Sequence, residues 1–573
     1  MRGEAVGLDE VLVVGAGPVG LTVGVELWRR GVPCRVIDRL VEPARYAKAV
    51  GVQPRTLEVW ENLGVLRDAL DAAIPLCGQL VYVNGEQVAR IDLALPPDVP
   101  YGFVALPQYV TEWLLIHRLH QFGGRVERGV ELVAFESDSD GVNARLRAAD
   151  GGEQEVRVGY LVGADGAHSR VRKGLGLDFA GDAFPEQYML GDVEVDWALP
   201  AGYVVRSSHQ ADGRTDEVLV CVPLPGTGRY RMSMLVPDDL ATRPAQGEVQ
   251  HGMETGPVPQ LHHIQAVLDR LSPEPARAHT LRWSSVFRIS HRLADRYGQG
   301  RVFIAGDAAH IHPPTGAQGM NTGIQDGVNL AWKLALAVQG AAADGLLGSY
   351  QAERHPVGEE VVGRTVRHAR EGFEADPDDP STVIRREAQL LVHYRDSPLV
   401  GDGGGCLRGP LPGERARDCC GLRRAAVSHP LRLFELLAHP HHTLLLYADD
   451  IAQLPVVTEL ARLADALAGG RMKTYLIGAA TSTQLDGSSV PLVVDGAGEF
   501  QGVYGATGGT GYLVRPDGYV GFRAASLTCV GLRRHLEGVF AAQPVPGASG
   551  SDPGQRWSTI GGSNDLGRSA THS

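Results

Sequence analysis

No run of about eighteen apolar residues occurs anywhere in the chain, so no transmembrane helix is expected. Blocks of Lys or Arg are also missing, and a net charge of −13 with a pI near 5.9 argues against a nucleic-acid surface. Lysine is scarce beside arginine, and no function follows from that. The seven cysteines (Cys34, Cys77, Cys221, Cys406, Cys419, Cys420 and Cys529) are odd in number and irregular in spacing. That usage excludes a disulfide framework and fits a reducing cytoplasm. Cys419 and Cys420 are adjacent, so neither a Cys-x-x-Cys redox pair nor a zinc knuckle is indicated. A cleavable leader is not expected either: Glu4, Asp9 and Glu10 precede the first apolar run, glycines interrupt it, and no small-residue cleavage site stands out. At 573 residues the chain is too long for one core, and two or three domains are expected.

What the sequence does contain begins at Glu10. Val11 to Val14 is a β-branched strand that stops at Gly15, and an amphipathic pattern then runs from Pro18 to about Arg30. In such a strand, turn and helix, Gly15 allows the turn, Gly17 lets backbone approach a pyrophosphate, and Gly20 permits close helix–strand packing. Amides at the helix start, with the positive end of its dipole, would bind the phosphates. A second strand, Cys34 to Ile37, ends in Asp38, eighteen residues after Gly20 and suitably placed to accept hydrogen bonds from a ribose. Arg39 follows; Arg45 reads equally as a phosphate or ribose clamp and as a solvated charge.

Further along, Gln53-Pro-Arg-Thr-Leu-Glu58 opens a helix to about Leu63, and Gly78 to Ala94 alternates as strands do outside the nucleotide unit. Leu106-Pro-Gln108 leads into a helix from Tyr109 to about Gln121. The strand from Tyr160 ends at Asp165-Gly166, with Ser169 opening the next helix. From Leu177 to Phe287 short alternating runs predict an antiparallel sheet able to wall off a pocket. The chain then returns to the nucleotide unit. Arg301-Val-Phe-Ile-Ala-Gly306-Asp307 is a buried strand ending in a turn, and a Gly- and Pro-rich loop from Pro313 to Asn321 opens a long helix through Leu336. Amides and dipole at that loop suit a ring system that becomes anionic on reduction. His310 and His312 sit two apart beside Asp307, but a third metal ligand is missing, so no metal is expected.

These three motifs, in this order, resemble the FAD-dependent aromatic hydroxylases of the para-hydroxybenzoate and phenol hydroxylase type. Asn321-Thr-Gly-Ile-Gln-Asp-Gly-Val-Asn-Leu-Ala-Trp-Lys-Leu and Ser349-Tyr-Gln-Ala-Glu-Arg-His-Pro356 are most similar to bacterial polyketide hydroxylases. The resemblance covers about residues 9 to 360. It implies an α/β fold: a Rossmann-like FAD-binding domain, an antiparallel β-sheet substrate domain and a C-terminal thioredoxin-like α/β domain. The implied boundaries are 1–77, 101–176 and 288–395 for FAD, 78–100 and 177–287 for substrate, and 402–542 for the last domain. Within that last domain, strands are read at His442 to Ala448 and Ser489 to Val494, a hairpin at Arg515 to Phe522, and a helix at Leu532 to Phe540. The tail from Gln543 to Ser573, rich in Gly, Ser and Pro, is expected to be disordered.

By the same resemblance Gly15, Gly17, Pro18, Gly20, Asp38 and Arg39 hold the ADP half of FAD. Arg45 and Gln108 contact the cofactor along its length, and Asp165 stands where FAD and the nicotinamide nucleotide both approach. Gly306 and Asp307 lie near ribityl and pyrophosphate. Pro314, Gly316, Ala317, Gln318, Gly319, Met320 and Asn321 line the isoalloxazine. Two departures are visible: Asp38 replaces the commoner Glu, and Ala317 stands where many relatives have Gly. The implied reaction is hydroxylation of an aromatic or polyphenolic substrate, reduction by NADPH or NADH being followed by oxygen transfer from a C4a-hydroperoxyflavin formed with O2. Alternatives are Baeyer–Villiger oxidation or epoxidation on the same scaffold, and a flavin-carrying binding protein without turnover. A homodimer is an open possibility. No catalytic acid or base is assigned: Tyr230, His209 and Arg288 are polar residues of the right region that read as structural.

Overall fold

Val11–Val14 is buried along its whole length, as a strand covered by helices on both faces must be. It pairs in parallel with Cys34–Asp38 on one side and Tyr160–Gly163 on the other, and the latter pairs with Val302–Ile304. These four, with Val126–Arg128 and the short antiparallel Gly298–Gln299 at the edges, make a six-stranded sheet. The computed structural model describes residues 10–43, 48–212, 214–242, 249, 251–253, 257–371, 379–405, 408–480, 485 and 488–542. Arg45, Cys406 and the segment from Gln543 onward lie outside the described residues.

The helix Pro18–Trp28 packs against the long helix Gln318–Val338. Their approach is close because the long helix presents glycine there: a Cβ at Gly323 would stand 2.7 Å from Val19 Cγ2, and one at Gly327 3.2 Å from the Val19 carbonyl. The spacing of these glycines, legible in the sequence only as part of a motif, thus follows from helix packing.

The second unit is a nine-stranded, mainly antiparallel sheet. Gly78–Val83 and Glu86–Asp92 belong to it, the first pairing in parallel with Tyr203–Ala211. Two of its strands, Phe179–Asp196 and Arg277–Ala294, are eighteen residues each, longer than the short runs expected. One element differs in kind. Leu261–Leu271 is an α-helix, and its apolar face (Ile264, Val267, Leu268, Leu271) covers one side of the sheet with Met189, Met232 and Met234.

The third unit joins His442–Ala448 in parallel to Met472–Ala479 through the helix Leu454–Ala468, then adds the antiparallel pair Gly511–Val514 and Val520–Ala524 and the helix Cys529–Glu537. That βαβ-plus-ββα order is thioredoxin-like. The first helix of this unit was not anticipated, and the expected strand at Ser489 to Val494 runs from Leu492 to Asp495. Among the described residues no helix is long and apolar enough to cross a membrane.

Candidate active site

Parallel pairing in register decides where the motif turns meet. Val14 is level with Gly163, and Gly163 with Ile304, so the turns at Gly15, Asp165 and Gly306-Asp307 leave the sheet side by side at its carboxyl edge, where open α/β sheets bind nucleotides. The contact is tight. Gly15 has φ +103°, and a Cβ there would fall 2.3 Å from the Ala164 carbonyl oxygen. At Gly20 a Cβ would fall 1.9 Å from the Gly15 carbonyl oxygen. Gly17 is different: its φ is −77° and a Cβ would meet nothing within 4 Å. Gly15 and Gly20 are therefore required by the protein's own packing, whereas Gly17 borders open space.

The helix starts tell the same story. Pro18–Trp28, with Gly17 at its N-cap, and Gln318–Val338, with Ala317, both begin without a side-chain cap. The helix Arg170–Gly174 is capped by Ser169, and Asp165 Oδ2 accepts from the amides of Arg170 (2.6 Å) and Val171 (3.2 Å). First-turn amides that lack a cap need another acceptor. Asp165 is thus partly spent on its own helix, but Oδ1 is buried without a partner, and burial raises the carboxyl above the usual range. Asp307 accepts no hydrogen bond from the described residues. Open space at Gly17, two uncapped helix starts, an orphaned carboxylate oxygen and a free acid fit a phosphate- and ribityl-bearing cofactor.

The turn at Gly306 is held from behind. Asp326 Oδ2 accepts from the Gly306 amide (3.1 Å) and contacts His310 Nε2 (2.8 Å), while Oδ1 accepts from Arg354 Nε (2.7 Å). Burial alone would raise the Asp326 carboxyl, but Arg354 and His310 hold it below its ordinary value. His310 is accounted for by this network, and among the described residues no cluster that could hold a metal exists.

The loop from Pro314 to Asn321 lies against a segment that the sequence marked only as a helix opener. Gln53 Nε2 donates to the Gly316 carbonyl (2.8 Å), and the Gln53 amide donates to Asn321 Oδ1 (3.0 Å). Asn321 Nδ2 reaches the carbonyls of Gly51 (3.0 Å) and Ala317 (2.7 Å), and Gln318 Nε2 reaches Glu387 Oε2 (2.8 Å). These side chains shape the loop, and the Ala317 amide donates within it to the Pro314 carbonyl (3.0 Å). Ala317 takes the left-handed conformation, φ +54° and ψ +39°, at a cost of about 1 kcal/mol or more for a residue with a Cβ. Its methyl group packs on Gly51, where a Cβ would lie only 2.6 Å away. Met320 packs partly buried against the core beneath, Gly319 adjoins His312, and Pro314 is exposed.

Gln108 joins the other flank: its amide donates to the Ala49 carbonyl (3.0 Å), its Oε1 accepts from the Ala49 amide (3.1 Å), and its Nε2 donates to Glu112 Oε1 (2.9 Å). Arg39 is exposed and pairs with nothing described. Burial pushes Glu112 up to about 7, with Arg128, Asp38 and Lys48 also acting on it. An acid raised in this way holds its proton preferentially in the folded state, so its contribution is complete below about pH 4.5 and is lost as pH rises through about 7. Glu112→Gln is expected to remove that slope. Relative to the parent its stability should rise between pH 5 and pH 8 by up to roughly 3 kcal/mol, measured by denaturant unfolding at both values.

The wall opposite comes from the nine-stranded sheet. Register pairs Arg206 with Val220, Val220 with Ser233, and Ser233 with Leu190, so these share the face turned away from the Leu261–Leu271 helix. On the same face Val222 packs with Val50 and Tyr109, and Phe287 stands edge-on to His251. His251 feels the Asp307 charge, and burial lowers both it and His312 to about 4, so both rings are neutral at pH 7. His312 Nδ1 donates to its neighbour's carbonyl (2.9 Å), which leaves Nε2 an acceptor beside Gly319. Glu112, His251 and Arg206 had no local signal in the sequence, and Gln53, Asp326 and Arg354 stood in motif stretches without a role assigned to them.

This arrangement matches known proteins. Residues 9–365 match the FAD binding domain family, and the chain belongs to it. A 6-methylpretetramide 4-monooxygenase of Streptomyces rimosus is 35% identical over 572 residues, covering 95% of this chain and 96% of its own length. A flavin-dependent monooxygenase of Mycobacteroides abscessus is 35% identical over 462 residues, 78% of this chain and 90% of its own. Among solved structures, aklavinone-11 hydroxylase in ternary complex with FAD and aklavinone superposes with a TM-score of 0.73 at 26% identity, over 94% of this chain and 99% of that one. The anhydrotetracycline hydroxylase OxyS from Streptomyces rimosus gives 0.70 at 28%, over 93% and 99%. The chain is an FAD-dependent monooxygenase.

Proposed function

We propose that this chain hydroxylates an electron-rich ring of an aromatic polyketide, with NADPH as reductant and dioxygen as the oxygen source. The balance is one ring C–H, one O2, one NADPH and one proton consumed, and one phenol, one NADP+ and one water formed. The observation that carries the reading is the half-buried face of the nine-stranded sheet on which Leu190, Val220, Val222 and Phe287 stand with Arg206, joined to the motif turns through His251, which touches Phe287 and feels the Asp307 charge. Relatives that act on a pretetramide, an anhydrotetracycline and aklavinone support the substrate class.

FAD, when bound, supplies hydride acceptance and oxygen activation. The residues proposed to hold it are Gly15, Gly17, Pro18, Gly20, Asp38 and Arg39 with Arg45 at the ADP half, Gln108, Asp165, Gly306 and Asp307 along the chain, and Pro314 to Asn321 at the ring. The amides that open Gln318–Val338 stabilise negative charge there. Arg206, a cation with no hydrogen bond or ion pair to the described residues, lies in the apolar wall within electrostatic range of Tyr188. It favours the ionised form of a substrate phenol or enol, the better nucleophile. The sheet excludes water from the reacting atoms.

Residues 1–77, 101–176 and 288–395 are assigned to FAD, 78–100 and 177–287 to substrate, and 402–542 to packing and support of a homodimer. Among the described residues no cysteine is joined in a disulfide, which supports a cytoplasmic setting.

Purified protein with NADPH and a panel of polycyclic phenols is expected to form products heavier by one oxygen atom, labelled when 18O2 is supplied. Tight binding of every compound without product or faster NADPH oxidation would sink the proposal in favour of a carrier. Asp307→Ala is expected to weaken FAD binding about tenfold or to slow flavin reduction, since it removes one charged hydrogen-bond acceptor. If titration and stopped-flow reduction show both unchanged, Asp307 is only a turn residue.

A further inference from the structure

Asp38, one methylene shorter than the glutamate common at this position, is largely occupied by the protein itself. Its Oδ2 accepts from the Ala16 amide (2.8 Å) and its Oδ1 from the Leu40 amide (2.9 Å). Directly across the sheet edge, Arg128 is level with Asp38 in the parallel pairing of Val126–Arg128 with Cys34–Asp38. Arg128 Nη1 stands 3.8 Å from Asp38 Oδ2, and its Nη2 is buried with no hydrogen-bond partner. Glu112, buried on the adjacent helix, faces the same pair. A guanidinium nitrogen that is out of water and unbonded is costly, and it recovers that cost when an acceptor arrives. Ala16 adjoins Gly17 and its open space, so the acceptor that reaches this corner is the part of a dinucleotide next to the phosphates.

We infer that Arg128 is a further cofactor-binding residue, donating from Nη2 to the adenosine portion of the ADP half and supplementing the shortened acid at Asp38. This rests on the reading that FAD occupies the Gly15–Gly20 turn. Arg128 has two jobs in one fork: Nη1 balances the Asp38 charge and Nη2 reads the ligand, which a lysine cannot do at once.

The test titrates apoprotein with FAD, ADP and FMN, the last lacking adenosine. Arg128→Gln is expected to weaken FAD and ADP about tenfold or more, the loss of one charge-assisted hydrogen bond, and to leave FMN unchanged. Arg128→Lys should keep the charge and show a smaller loss with the same FMN indifference. The inference is overturned if FAD and ADP bind both variants as tightly as the parent, or if FMN falls by the same factor, which would make Arg128 a support of the sheet edge only. Thermal unfolding of each apoprotein separates lost binding from lost fold. Failure of the parent protein to take up FAD would defeat the underlying cofactor placement, a result distinct from either of these.

Discussion

Gly17→Val should yield a folded, colourless protein. The other two glycines of the turn cannot make this point, because a Cβ at Gly15 or Gly20 would strike backbone oxygen at 2.3 or 1.9 Å and the chain itself would have to shift. At Gly17 the backbone conformation is open to any residue and the added atoms enter space the protein does not use. A branched side chain there meets the ligand alone, at the point where a pyrophosphate must approach backbone amides. FAD affinity is expected to fall at least about a hundredfold, a loss on the order of 3 kcal/mol. Thermal unfolding of the apoprotein should stay within about 1 kcal/mol of the parent, as for a change that disturbs no protein contact. A variant that purifies yellow and fully loaded would refute the placement of the cofactor.

Glu353→Ala should produce the largest loss of stability of any single substitution considered. Glu353 is fully buried between Lys333 of the long helix (2.7 Å) and Arg515 of the C-terminal domain (2.7 and 2.8 Å), and it also accepts from Asn329 (2.6 Å) and Ser397 (2.6 Å). Asp517 joins through Arg515, Asn329 and Trp332, and its carbonyl accepts from Arg55 on the helix that follows Gln53. Burial lowers Lys333 to about 8, and its attraction to Glu353 opposes that fall. Removing the carboxylate leaves Lys333 without an anion in contact and Arg515 with half its neutralisation, in an interior where an uncompensated charge costs about 3 to 5 kcal/mol. Denaturant unfolding should show that loss, and FAD should be released at a lower denaturant concentration, since Asn329 and Lys333 lie on the helix whose first turn continues the loop proposed to hold the flavin ring. Glu353→Gln fills the same space and keeps one of the two acceptor oxygens, so it should lose less. An unchanged unfolding midpoint in the alanine variant would show that the C-terminal domain does not clamp this helix.

Some of this was legible in the chain and some was not, and the division follows the range of the interactions. The turn at Gly15, the strand ends at Asp38, Asp165 and Gly306, and the loop before the long helix are local: each is a demand of a few consecutive residues on backbone conformation, so glycine and acid at set spacings record it. The helix Leu261–Leu271 was missed because it is a single amphipathic element inserted among strands, and its apolar face has meaning only against the sheet it covers. Cys529–Glu537 and Leu492–Asp495 came out shifted by a few residues, since their ends are set by packing.

The amino-acid sequence alone determined that the chain carries a nucleotide-binding turn and a glycine-rich loop at a helix start, because each of these is a property of neighbouring residues. Only the tertiary structure decided that Gly17 is the glycine facing open space, that Gln53 and Ala49 brace the loop and Gln108, and that Arg128 stands beside Asp38. It alone also placed Glu353 as the buried anion between two domains. Those contacts join residues tens to hundreds of positions apart, and their partners are chosen by strand register and helix packing, which no local pattern encodes.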